Sequence, residues 1–349
     1  MALIYFNNVK ISGISAAVPK TIIENKENGF FNESEILKFI STTGVERFRD
    51  GEPCTSDLCF AAAEKLIAEL NWDKSEIEML LFLSQTPDYI LPNTAPILQN
   101  RLNLPKSCIA FDMTLGCSGY IYGLSTISSY MSTGAIKKAL FLCGDTPTKT
   151  VNKRDKTTAM LFGNAGTATA IEFEKGADSL KFTLGSDGSG FNSIIIPDGG
   201  YRNPISNESL IENELGEGII RNNCNVFLDG MDVFSFGINQ APASVKETLS
   251  ACSKTDEDID FYIFHQANLM MNEMIRKKLK IGKEKVPYSL ADYGNTSSAS
   301  IPITMISQIR DELISKEINL LLCGFGVGLS WGSCILKTNN LIIPEIIEV

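Results

Sequence analysis

Histidine is the scarcest chemistry-bearing residue of this chain: among 349 residues there is one, His265. A histidine-rich metal site is therefore not expected, and any step needing an imidazole near neutral pH must use this one. Nine cysteines are an odd number, scattered and without a Cys-x-x-Cys pair, which predicts neither a disulfide framework nor a zinc site. No run of 18 or more apolar residues occurs, and Met1 to Val9 lacks the apolar stretch of a signal peptide. The expectation is a cytoplasmic protein with no membrane association. Positive charge is short as well: 31 Lys and Arg against 41 Asp and Glu leave a net charge of −10, which argues against a nucleic-acid or anionic-membrane surface.

What is present is a regular alternation of apolar runs and helical periods. Strands are predicted over Lys10–Val18, Met79–Leu83, Ile109–Met113, Lys138–Cys143, Phe162–Ile171, Asp260–Phe264, Asn319–Cys323 and Leu329–Lys337. Helices are predicted over Glu33–Ile40, Thr55–Leu70, Tyr120–Met131, Asp232–Leu249, Asn268–Lys280 and Ile301–Ile314, with Thr55 or Ser56 as a cap. Residues 185–230, rich in Gly, Asn and Ser, are the least regular.

These elements repeat. Leu81-Phe-Leu-Ser-Gln85 is followed 59 residues later by Leu140-Phe-Leu-Cys-Gly144, and Tyr262-Ile-Phe-His-Gln266 is followed 58 residues later by Leu320-Leu-Leu-Cys-Gly324. Ser84 matches His265 at an offset of 181, and Cys143 matches Cys323 at 180. The pattern predicts two related α/β halves, 1–180 and 181–349, packed face to face with equivalent strand ends converging on one crevice.

Four short motifs stand at the ends of predicted strands or in adjoining turns. Gly116-Cys117-Ser118-Gly119 opens a helix, where unpaired N–H groups and the helix dipole lower a thiol's pKa and can hold an oxyanion. A small buried cysteine at a tight turn fits the same residues. His265-Gln-Ala-Asn268 leaves one strand, Gly294-Asn295-Thr-Ser-Ser-Ala-Ser300 precedes a helix, and Gly324-Phe-Gly-Val-Gly328 leaves another strand. Taken singly these read as a structural hydrogen-bonder, a helix cap and a tight turn. The glycine run is no phosphate loop, since no Lys-Ser/Thr follows and a strand comes next.

In this order and at these distances, between Gly116 and Gly328, the motifs resemble those of the ketoacyl-acyl-carrier-protein synthase III family of the thiolase superfamily. Thr43-Gly-Val-Glu-Arg47, Thr86-Pro-Asp88 and Phe162-Gly-Asn-Ala-Gly-Thr-Ala168 extend the likeness over essentially the whole chain. The resemblance implies a five-layered αβαβα fold of two duplicated halves, normally a homodimer. It makes Cys117 the acyl-accepting nucleophile, the backbone N–H groups of Cys117 and Val327 the oxyanion hole, and His265 and Asn295 the donors to a malonyl thioester carbonyl. Neither a metal nor an organic cofactor is implied; the substrates are an acyl-CoA or acyl-carrier thioester and malonyl carrier protein.

Departures from the family bear on the donor. Where acetyl-CoA users clasp the adenine with Trp and Arg, this chain has Lys38 and Thr42; a phosphate-side Arg corresponds to Lys156, and an Asn on the pantetheine path to Met231. Asn268 is retained. Lys cannot reproduce the planar guanidinium fork, so an acyl carrier protein becomes the favoured donor. Lys277 and Lys278 match the family's carrier-docking lysines, although the run Arg276-Lys-Lys-Leu-Lys280 also fits a solvated helix face. Leu91 matches a position that reaches the partner's acyl pocket, and fits equally an ordinary core residue. Three other functions stay open here: a relative that acylates a hydroxyl or amine, a Cys-His-Asn peptidase, and a silent scaffold of the same fold.

Overall fold

Six of the eight predicted strands form the middle of two sheets covered by helices on both faces, and those over 109–113 and 260–264 lie at sheet edges. The structure, a computed structural model, describes residues 3–349. The chain opens with β1 (Leu3–Phe6), β2 (Val9–Val18), β3 (Ile22–Glu24), α1 (Glu33–Thr43), β4 (Arg47–Arg49), α2 (Thr55–Glu69), β5 (Met79–Leu83) and α3 (Thr94–Arg101). It continues through β6 (Ile109–Met113), α4 (Gly119–Met131), β7 (Lys138–Asp145), β8 (Ala165–Phe173) and β9 (Leu180–Ser186). Short ribbons follow, β10 (Ile194–Ile195), β11 (Asn213–Glu214), β12 (Ile220–Arg221) and β13 (Phe227–Leu228). The last part is α5 (Gly230–Ala251), β14 (Phe261–Phe264), α6 (Leu269–Leu279), α7 (Leu290–Tyr293), α8 (Ser300–Ser315), β15 (Glu317–Gly326), β16 (Ser330–Asn339) and β17 (Ile347–Glu348).

One sheet has the order β17-β2-β8-β7-β5-β6 and the other β1-β9-β16-β15-β14. The duplication is explicit in the senses of pairing. β2, β8 and β7 run antiparallel in turn and β7 pairs parallel with β5, while β9, β16 and β15 run antiparallel and β15 pairs parallel with β14. The two parallel pairs are the sequence repeat.

Period-two burial explains the layers. Along β7, Ala139, Phe141 and Cys143 face the central core with α4 and α8, whereas Leu140 and Leu142 face α2 and α3. Along β15, Leu320 and Leu322 face the same central core, and Leu321 and Cys323 face α5 and α6. The result is a five-layered αβαβα arrangement.

Several boundaries differ from expectation for local reasons. The cap of α2 is Cys54, whose N–H donates to the Asp57 carboxylate at 2.9 Å, not Thr55 or Ser56. The strand expected from Phe162 begins at Ala165, because the preceding residues pair instead with the turn at Asn295. The helix expected from Asp232 starts two residues earlier, where the Asp229 carboxylate accepts from the N–H groups of Met231 and Asp232. Both chain ends cross between the halves: β1 pairs with β9 in the second sheet, and β17 with β2 in the first. The 180/181 division falls on the first residue of β9.

Candidate active site

The four motifs meet where the ends of β6, β14 and β15 converge. Cys117 lies in the turn between β6 and α4, with Gly119 N–H closing back on Gly116 O at 2.7 Å. The glycine turn after β15 is pressed against it. A Cβ on Gly326 would stand 2.5 Å from the Cys117 Cβ and 2.7 Å from its sulfur, so only glycine allows this approach. Ser118 Oγ lies 2.7 Å from Ser330 Oγ, which donates to Val327 O at 2.8 Å, so two hydroxyls tie the cysteine turn to the Val327 peptide.

Burial pushes the Cys117 thiol up to about 11. The N–H groups of Val327 and of Cys117 itself, together with the Ser297 hydroxyl, pull the other way, and the Asp145 charge adds to the rise. The lowered pKa expected at a helix start is therefore overturned. Desolvation of the thiolate outweighs the donors aimed at it.

His265 is 2% exposed, and burial drives its imidazole down to about 3, against a smaller opposing effect of the Ser297 backbone carbonyl. It is a neutral hydrogen-bonding ring. Its Nδ1 lies 2.8 Å from Ser300 Oγ, which also accepts from the Gln266 N–H at 3.3 Å. The Phe325 ring packs edge-on to it.

Asn295 is held by three backbone-directed bonds. Its N–H donates to Leu161 O at 2.9 Å, its carbonyl accepts from Gly163 N–H at 3.1 Å, and its Oδ1 accepts from Ser297 N–H at 2.9 Å. That assignment leaves the side-chain NH2 as the group presented to the site. Ser297 adopts φ 51, a left-handed backbone that costs a serine about 1 kcal/mol and is held by its surroundings.

Cys117, His265, Asn295, Ser297 and Val327 all open on one cavity of about 660 Å³, whose remaining wall is largely apolar, with Ile194, Leu228, Phe234 and Met271 among it. A thiol, a neutral imidazole, an amide NH2 and an apolar wall thus face one space.

Comparison with known proteins agrees. Residues 111–188 match the family model of 3-oxoacyl-[acyl-carrier-protein (ACP)] synthase III, and residues 249–338 match that of its C-terminal part. The chain is 34% identical to the beta-ketoacyl-[acyl-carrier-protein] synthase III of Caldanaerobacter subterraneus over 94% of its own length and 97% of the relative's. The chain belongs to the 3-oxoacyl-[acyl-carrier-protein] synthase III family. It superposes on the 3-oxoacyl-(acyl-carrier protein) synthase of Burkholderia xenovorans with a TM-score of 0.94 at 37% identity, covering 100% of this chain and 99% of that one. Against the synthase III of Pseudomonas aeruginosa the TM-score is 0.81 at 26% identity, covering 96% and 100%. It is thus an acyl-transferring condensing enzyme of the synthase III type with the thiolase fold.

The other residues singled out by resemblance to synthase III fall in different places. Asn268 lines the cavity but is first a helix cap, its Oδ1 accepting from Met271 N–H at 2.8 Å. Met231 is 85% exposed at the cavity mouth. Lys156 is not on the cavity wall; its Nζ stands 4.0 Å from Glu35. Leu91 is 75% exposed, so the core role is excluded, and it forms a surface strip with Tyr89 and Ile90. Of the basic run on α6, Arg276 is bound bidentately by Glu273, and Lys278 donates to Asn239 Oδ1 at 2.7 Å and Ile238 O at 3.1 Å. Lys277 stands exposed beside them.

Sequence reasoning missed Asp145, which is 1% exposed and lines the same cavity. Its Oδ1 accepts from Gln85 N–H at 2.7 Å and Ser84 Oγ at 3.1 Å, and its Oδ2 from Ser298 Oγ at 2.6 Å and Ser298 N–H at 3.2 Å. One carboxylate thereby clamps the ends of β5 and β7 to the turn that carries Asn295. The available signal was a carboxylate closing an otherwise apolar strand. Asp145→Ala leaves four donors without their acceptor and is expected to destabilise the protein by about 3 kcal/mol, read as a shift in the denaturant midpoint.

Proposed function

We propose that this chain condenses an acyl group held on Cys117 with a malonyl thioester, releasing CO2 and forming a β-ketoacyl thioester. The observation that supports this best is the opening of Cys117, neutral His265 and the Asn295 amide on one cavity.

In the first step the Cys117 sulfur attacks the donor thioester carbonyl. Negative charge on the carbonyl oxygen is taken by the N–H groups of Cys117 and Val327, and the departing thiol carries away the proton. Thiol and thioester are exchanged one for one, so the step is proton-neutral. In the second step His265 and the Asn295 NH2 hydrogen-bond the malonyl thioester carbonyl while the C–C bond to the carboxylate breaks. Two neutral donors stabilise the enolate without offering an acid that would quench its carbon. The enolate carbon attacks the acyl-Cys117 carbonyl, the sulfur leaves as thiolate, and with its raised pKa it takes up one proton from solvent, so that loss of CO2 consumes one proton overall. The scheme calls on no metal or organic cofactor.

An acyl carrier protein is the favoured bearer of the thioesters. Exposed Lys277 on an acidic protein supports it, and Lys156, engaged by Glu35, is a poor substitute for a phosphate-binding guanidinium. The exposed strip Tyr89-Ile90-Leu91 supports a homodimer that covers it. Nine free cysteines suit the reducing cytoplasm, and among the described residues no helix is long and apolar enough to cross a membrane.

The test is to supply acyl-CoA and acyl-carrier thioesters, with and without malonyl carrier protein, and to follow the mass of Cys117 and the release of CO2. Product that needs malonyl thioester is expected; product formed from a hydroxyl or amine acceptor without it overturns the reading. Because His265 is held neutral down to about pH 3, CO2 release should show no acid limb assignable to its protonation from about pH 8 to pH 5.

A further inference from the structure

A second cavity, of about 190 Å³, lies beside the first. Among the described residues Phe162 alone lines both. The rest of the partition is the tight turn after β7, in which Pro147 and Thr150 face the main cavity while Thr148 and the following Val151 face the smaller one.

The backbone on either side of Phe162 is tied to Asn295: Leu161 O accepts from Asn295 N–H at 2.9 Å, and Gly163 N–H donates to Asn295 O at 3.1 Å. A Cβ on Gly163 would stand 2.2 Å from Tyr293 O, which keeps the two segments in close contact. The ring is 8% exposed, and a turn about its Cα–Cβ bond would open the partition without moving the peptide that positions Asn295. The small chamber is walled mainly by apolar groups, Ile23, Phe30, Phe48 and Val151 among them. Asn28, Asp50, Thr148 and Lys153 also line it, and Thr158, 1% exposed, adds a buried hydroxyl that has no hydrogen-bond partner. A buried hydroxyl without a partner costs stability unless something fills the role.

We propose that Phe162 is a gate between the reaction cavity and a side chamber that receives the far end of an extended acyl chain carried on Cys117, with the Thr158 hydroxyl bonding an oxygen near that end. The inference rests on the acyl-Cys117 reading above. The mainly apolar wall takes a linear acyl group, and the Thr158 hydroxyl makes a hydroxylated chain preferred over a plain one of equal length.

The test measures the rate at which acetyl, plain acyl and hydroxyacyl thioesters of graded length add their mass to the full-length protein. Ala159→Leu fills the chamber from a wall that does not touch the main cavity. It is expected to lower the ratio of long-chain to acetyl transfer about tenfold. Phe162→Ala joins the two spaces and is expected to raise the same ratio by a similar factor. Thr158→Val is expected to erase the preference for the hydroxylated chain over a plain chain of equal length. A thermal midpoint near that of the unmodified protein shows that each variant is folded. A long-chain to acetyl ratio within twofold of the unmodified protein in folded Ala159→Leu, or in Phe162→Ala should the former not fold, overturns the gate. If the unmodified protein accepts no acyl group at all on Cys117, the acyl-enzyme reading falls first.

Discussion

Cys117→Ala is expected to remove acyl-enzyme formation and to lower condensation about 10³-fold or more. The sulfur is the atom to which the acyl group would bond, and among the described residues no other cysteine lines its cavity. Of the other eight cysteines, Cys59, Cys108, Cys143, Cys323 and Cys334 are buried, and burial raises the thiol pKa of all five. Exposed Cys54 and partly exposed Cys224 and Cys252 are the places where nonspecific labelling would appear. Intact-mass measurement after brief exposure to an acyl thioester should show one added acyl group on the unmodified protein and none on the variant. Equal labelling of both would sink the role given to Cys117. Decarboxylation of malonyl thioester should survive in the variant, because His265, Asn295 and the Val327 N–H remain.

The second large effect separates the two half-reactions. His265→Ala and Asn295→Ala each remove a donor from the enolate oxygen and are expected to lower CO2 release and condensation by about 10²- to 10³-fold. Acylation of Cys117 should stay within a few-fold of normal, since the donors at that step are backbone N–H groups. Because both side chains serve one oxygen, the double variant is expected to lose much less than the product of the single losses. His265→Ala also strips Ser300 of its ring partner, so the acylation rate is the control that separates lost chemistry from a disturbed turn. If acylation and decarboxylation fell together in both variants, the division of labour would be wrong.

Much of this architecture is legible in the chain because strand and helix periods are local. Lys138–Cys143 reads as a strand buried on both faces, and it sits in the middle of a sheet for that reason. The repeat between residues 81–85 and 140–144, and again between 262–266 and 320–324, marks parallel neighbours, since each half places an equivalent strand beside the next. Leu91 and Lys156 were less legible. The first is apolar yet 75% exposed, and the second is drawn to Glu35 rather than to the cavity.

The sequence by itself determined the duplicated α/β plan and placed four motifs at strand ends and turns, since those follow from spacing and residue type; the choice of Cys117, His265, Asn295 and Val327 within them is what the resemblance to synthase III implies. Only the tertiary structure decided how these groups behave. The Cys117 thiol is high rather than low because the two halves close over it, and His265 is neutral for the same reason. The Asp145 clamp, the Ser118–Ser330–Val327 tie across 212 positions, the crossing of the chain ends and the chamber behind Phe162 likewise arise from long-range contacts. Their energies depend on burial and on partners far away in the chain, neither of which a local period records.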